Sequence, residues 1–65
     1  MVSVVRWFDD TKGYGIIEGF HENDIFVNYK DILDKDYKTL FKGQIVEFSL
    51  MKTNKGFKAV KVIPR

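Results

Sequence analysis

The chain has 65 residues, no cysteine and a formal net charge of +2. A chain this short is expected to form a single domain over residues 1–65; it buries only about 60% of its unfolded surface, which leaves no room for a second apolar layer. Without cysteine there is neither a disulfide nor a thiolate zinc site, and the opening MVSVVRWFDD is too short an apolar run, with acids too close behind it, for a signal peptide or a membrane span. A soluble cytoplasmic protein is the expectation.

Helical periodicity is lacking along the chain, and short β-rich runs alternate with turn residues. The first predicted strand covers residues 2–8 and is closed by the polar turn Asp9-Asp10-Thr11-Lys12-Gly13. The second covers 14–18, and a loop over 19–23 leads into the third, 25–28. Residues 30–43 form the longest stretch without a strand, with one short helical turn predicted at Asp31-Ile32-Leu33. Gly43 opens a fourth run, 44–51, in which Val46, Phe48 and Leu50 alternate with Glu47, Ser49 and Met51. A hairpin turn at 52–56, with Asn54 and Gly56 at its tip, leads into the fifth run at 57–63.

Five short antiparallel strands without helices to cover them are predicted to close into a small barrel, which buries a core and removes free edges. The inward set is then Val5, Ile17, Ile25, Val27, Val46, Phe48, Leu50, Val60 and Val62, with Ile32 or Leu33 plugging one end. That core is almost wholly aliphatic, yet ten of the 65 residues are Phe, Tyr or Trp. Trp7, Tyr14, Ile16, Phe26 and Tyr29 are left without an inside position.

Side chains alternate between faces along a strand, so if Ile25 and Val27 face in, Phe26 and Asn28 face out. Likewise, if Ile17 faces in, Ile16 faces out. Sequential strands usually pair, which gathers Tyr14, Ile16, Phe26 and Tyr29 on one patch, with Trp7 and Phe8 arriving from the first strand. Two consecutive aromatics cannot both point outward in a regular strand. Either a bulge or a half-buried Phe8 is therefore expected.

The charge is divided unevenly. Residues 1–36 carry four bases against eight acids, whereas residues 37–65 carry seven bases against Glu47 alone. Such a basic stripe solvates a surface or meets a polyanion. Exposed rings interleaved with Arg6, Lys12 and Lys30 suit single-stranded nucleic acid, because flat π-faces accept bases and cations accept phosphates. The competing reading is a protein-interaction barrel whose aromatic patch is a homodimer or partner interface. An enzyme is disfavoured, since no nucleophile has a positioned base and no metal-ligating cluster is visible; no cofactor, metal or small-molecule substrate is expected.

The segment from Trp7-Phe8 through Lys12-Gly13-Tyr14-Gly15-Ile16-Ile17 resembles the W-F-N-x-x-K-G-[FY]-G-F-I segment of cold-shock domains. Asp24-Ile25-Phe26-Val27-Asn28-Tyr29 is similar to their D-[VI]-F-V-H-[FY] segment, and Tyr37-Lys38-Thr39-Leu40 with Gly43-Gln44 resembles F-K-T-L-x-x-G-Q. The resemblance spans essentially the whole chain. It implies an all-β, five-stranded antiparallel OB-fold barrel that binds single-stranded RNA and DNA with low sequence specificity, as an RNA chaperone or antiterminator in stress response and transcription regulation.

On this resemblance the base-stacking residues are Trp7, Tyr14, Phe26, Tyr29 and Tyr37, with Phe8 at the margin. Arg6 and Lys12 would serve phosphates, joined by Lys55 and Lys58 from the basic stripe, and Asp24 would accept hydrogen bonds from a base edge. Ile16 replaces a Phe and keeps only apolar contact; Asn28 replaces a His and can hydrogen-bond a base but stacks poorly. Both departures imply weaker binding than in the fullest family members. Phe57 stands where the family often has Pro and, if exposed, supplies another stacking face. Asp9 and Asp10 place negative charge near Trp7 and increase reliance on Lys12. A monomer is expected, with domain swapping through the long loop allowed.

Other signals are weak. Gly13-Tyr14-Gly15 is no dinucleotide fingerprint, because position 18 is Glu18 and no helix follows. His21, the only histidine, reads as a solvated loop residue. Asp31, Asp34 and Asp36 read as a charged loop that keeps phosphate off that flank. Phe20 and Phe41 have no assigned role.

Overall fold

The computed structural model describes residues 1–20, 23–34 and 36–65; His21 lies outside them. It contains strands β1 (Val2–Asp9), β2 (Tyr14–Ile17), β3 (Ile25–Asn28), β4 (Ile45–Thr53) and β5 (Gly56–Pro64), with one 3₁₀ turn at Tyr29–Asp31. The strands close into a barrel in the order β1-β2-β3-β5-β4. The expected five-stranded OB-type barrel is borne out, and each strand lies within two residues of its predicted range at either end.

β1 is long enough to serve two neighbours, pairing with β4 through Val2–Val4 and with β2 from Val5 onward. Four pairings are antiparallel, and the closure of β3 on β5 is parallel. Sequence alternation carries no information about that last pairing. The predicted helical turn lies slightly earlier, and Asn28 caps it by accepting the Lys30 backbone N–H.

Val5, Ile17, Ile25, Val27, Ile32, Val46, Phe48 and Val62 are buried together, so the expected inward parity holds on β1 to β4 and at Val62 on β5. Two expectations need correction. Val60 is only half-buried, and Ala59 fills the core instead. The cause is an extra residue on β5: the β4–β5 register passes from Glu47↔Ile63 to Ser49↔Val60, and Lys61 sits at φ 52°. A bulge with positive φ re-aims the strand by one residue, which turns Val60 away from the interior. Leu50 is likewise half-buried, packed against the core rather than within it. Of the two candidate plugs, Ile32 is sealed while Leu33 is 55% exposed. Leu40, from the long connection, completes the core.

The doubt over Trp7 and Phe8 resolves into both alternatives at once. The β1–β2 register passes from Val5↔Ile17 to Trp7↔Ile16, so Arg6 is a bulged residue. The inserted residue reverses the parity beyond it. Trp7 turns out to solvent, and Phe8 turns back to pack half-buried on the core. Gly15 makes this close crossing possible: a Cβ there would lie 2.3 Å from the Trp7 carbonyl oxygen and 2.8 Å from the Phe8 Cα.

Candidate nucleic-acid interface

β2 and β3 bring the surplus rings together. Tyr14 lies opposite Asn28, and Ile16 opposite Phe26. Because Ile17, Ile25 and Val27 are sealed inside, this register forces Ile16 and Phe26 onto the outer face. The Tyr14 ring stacks on Phe26 with centroids 5.8 Å apart and planes 21° from parallel. Trp7 meets Tyr14 edge-on at 5.5 Å and 77°. Such offset and T-shaped pairs are attractive on their own account, so the row is stable in the free protein. Trp7 remains 43% exposed and Phe26 40%, which leaves ring faces open to solvent.

Tyr29 extends the patch across the β1–β2 turn. Its backbone N–H donates to the Gly13 carbonyl at 2.9 Å, and its ring passes so close that a Cβ on Gly13 would lie 2.6 Å from Cδ1. Gly13 also has φ +76°, a conformation that favours glycine. The turn itself is held by Asp9, whose Oδ1 accepts the backbone N–H groups of Thr11 and Lys12 at 3.0 and 3.1 Å. Asp9 thus spends one carboxylate oxygen on backbone and fixes Lys12 at the edge of the patch.

Asp10, Thr11, Lys12, Gly13, Tyr29 and Lys38 line a shallow depression there. Lys38 had no role in the sequence reading. Its Nζ donates to the Ile32 carbonyl at 3.0 Å, which holds a second cation at the Tyr29 end. The signal for it was its place beside Tyr37.

Two predicted contact residues are paired with each other. Arg6 and Asp24 form an ion pair at 3.4 Å, with both side chains about half exposed. Lys58 pairs with Asp31 at 3.3 Å, so Asp31 neutralises a cation of the basic stripe rather than standing only as a loop acid. Asn28 accepts the Lys30 N–H through Oδ1 at 3.0 Å, which leaves its NH₂ group as the side chain's donor. Asp34 accepts the N–H groups of Asp36 and Tyr37 at 2.9 and 3.3 Å. That turn carries Tyr37, which is 71% exposed and makes no ring contact with the Trp7–Tyr14–Phe26 row among the described residues.

Lys55, Phe57 and Lys58 gather on the far side of Phe26. Phe26 lies opposite Lys58 across the parallel β3–β5 pairing, and Phe26, Thr53, Lys55, Phe57 and Lys58 line a groove. Phe57 is half-buried against the core, and Phe20 packs on it at 5.5 Å. Sequence reasoning missed Phe20, since a lone aromatic in a loop has no periodicity to place it. Phe41 is exposed, and its backbone exchanges hydrogen bonds with Gln44 ahead of β4. Among the described residues no three His, Asp or Glu side chains converge as a metal ion would require, and no helix is long and apolar enough to cross a membrane.

Comparison with known proteins matches this arrangement to one family. The family model described as "'Cold-shock' DNA-binding domain" covers residues 1–65. The chain is 45% identical over 64 residues to the cold shock-like protein CspB of Yersinia pestis, covering 97% of this chain and 91% of that protein. It is 42% identical over 59 residues to the cold shock protein CspA of Staphylococcus saprophyticus subsp. saprophyticus, covering 91% and 89% respectively. With a closed barrel, the motif residues on its outer face and a match along its full described length, the chain belongs to the cold-shock DNA-binding domain family.

Proposed function

We propose that the chain is a non-enzymatic cytoplasmic module that binds unpaired stretches of RNA and DNA. By holding bases on its surface rings it stops RNA from settling into hairpins, as an RNA chaperone or antiterminator does. The observation that carries this reading is the contiguous row Trp7–Tyr14–Phe26, outside a barrel whose core is filled without it. Trp7 is 43% and Phe26 40% exposed, and Tyr14 stands between them in contact with both rings.

Each stacked base contributes roughly 1–3 kcal/mol, so four or five platforms supply on the order of 5–12 kcal/mol before the cost of ordering the strand. Micromolar to nanomolar affinity is within that range, for about five to seven nucleotides. Stacking accepts any base, so preference is mild. Ile16 contributes apolar contact and Asn28 a donor, both less than a ring would. Lys12 and Lys38 are the cations best placed for phosphates along the Trp7–Tyr14–Phe26 row, Lys55 stands apart in the β4–β5 turn, and Arg6 and Lys58 must exchange a carboxylate for a phosphate.

Salt dependence tests the division of labour between rings and cations. With about three to five phosphates neutralised, log K is expected to fall against log salt with a slope of roughly −2 to −3.5 for a single strand. The slope is read from anisotropy titrations of a labelled oligothymidylate at several salt concentrations. A much steeper slope, with affinity insensitive to loss of a ring, would mean that charge and not stacking holds the strand.

A further inference from the structure

The aromatic row does not stop at the last motif residue. β5 runs alongside β3 with Phe57 opposite Ile25 and Lys58 opposite Phe26, so the outer face continues from Phe26 onto Lys58, while Phe57, on the side of the sealed Ile25, rests on the core and reaches the surface at the groove. There the groove lined by Phe26, Thr53, Lys55, Phe57 and Lys58 opens. Phe20, from the loop before β3, lies over Phe57 with centroids 5.5 Å apart and planes tilted by 52°. Phe57 rests on the core and is fixed by it, while Phe20 is 40% exposed. Neither residue lies in the segments 7–17, 24–29 and 37–44 that carry the resemblance.

The groove's chemistry selects an occupant. The rings of Phe26 and Phe57 make its walls apolar and flat, with Phe20 packed on Phe57, which suits a base. Lys55 stands at the tip of the β4–β5 hairpin and makes no ion pair among the described residues; Lys58 is held by Asp31 yet its side chain keeps 36% exposure. An apolar slot with a cationic rim, continuous with a stacking surface, fits a nucleotide better than an apolar peptide, which leaves Lys55 without a partner.

Resting on the reading that Trp7, Tyr14 and Phe26 stack bases, we propose that the groove between Phe26 and Phe57 is a further nucleotide subsite. The next base of the same strand stacks on the Phe57–Phe20 pair, and its phosphate meets Lys55. The subsite lengthens the footprint by one step beyond the motif surface and offsets what Ile16 and Asn28 withhold.

The test is oligothymidylate binding as a function of length, for the unmodified protein and for Phe20→Leu, Lys55→Ala and Phe26→Ala. Phe20→Leu is expected to weaken the longest oligomers roughly 5- to 50-fold and to leave oligomers of about four nucleotides within about twofold; Phe20→Tyr, which keeps the ring, restores the difference. Lys55→Ala is expected to make the salt slope shallower by about 0.7 for long oligomers alone. Lys55 lies away from the core, so this variant reports even if a Phe20 substitution disturbs folding. Equal length dependence in Phe20→Leu and the unmodified protein, or an unchanged slope in Lys55→Ala, overturns the subsite. If Phe26→Ala still weakens short and long oligomers alike, only the subsite falls; if Phe26→Ala is silent too, the stacking reading falls with it.

Discussion

Replacing Phe26 by alanine is expected to weaken binding of an oligothymidylate about 10- to 100-fold, the worth of one stacked base. Phe26 sits at the centre of the row, stacked on Tyr14 at 5.8 Å and bordering the groove toward β5. Its removal takes away one platform and the support of a second. Neighbours Ile25 and Val27 keep their places in the core, because Phe26 points away from it. The fold should therefore survive, at a cost of about 1 kcal/mol from lost ring packing, or roughly 4–8 °C in a domain of this size. Phe26→Leu keeps apolar bulk without a π-face and should fall between the two. Affinity unchanged in Phe26→Ala, with the protein still folded, would remove stacking from the mechanism.

Ile17→Ala should do the opposite: destroy the fold through a residue that never meets a ligand. Ile17 is fully buried between β1 and β3. Truncating a buried Ile to Ala costs about 2–5 kcal/mol through lost burial and the cavity left behind. A chain of this length has about 3–10 kcal/mol of stability in total. The thermal midpoint followed by circular dichroism should fall by at least about 10 °C, or the native signal should be lost. The adjacent Ile16→Ala offers the internal contrast, since Ile16 faces outward on the same strand. It should cost little stability and weaken binding instead. Equal stability losses at the two positions would mean that the parity assigned to β2 is wrong.

That contrast also shows why some parts of the molecule are legible in the sequence and others are not. Wherever a strand alternates regularly, one anchored residue assigns the rest. Ile25-Phe26-Val27 and Ile16-Ile17 could be read without coordinates for this reason. Alternation fails at bulges, and the described strands have two. The one at Arg6 was signalled, because Trp7 and Phe8 cannot both face out of a regular strand. The one at Lys61 has no such signal: Val60-Lys61-Val62 alternates properly, which predicts Val60 inside, whereas the bulge puts Ala59 there.

Connections carry even less periodic information. Leu40 seals the core from a segment with no strand or helix, and Phe20 finds Phe57 through the barrel's closure. Ion pairs such as Arg6–Asp24 and Lys58–Asp31 depend on which strands become neighbours. The parallel β3–β5 contact that positions Lys58 beside Phe26 belongs to the topology, not to any local run of residues.

The central claim, that the outward rings are a landing surface for unpaired bases, is tested most directly by the emission of Trp7, the sole tryptophan. Trp7 stands at one end of the row with its ring 43% exposed. Titration with oligothymidylate should quench it to saturation at one equivalent, as a base covers the indole. An unchanged spectrum, together with a molecular mass that rises with protein concentration, would contradict the claim and assign the patch to contact between proteins.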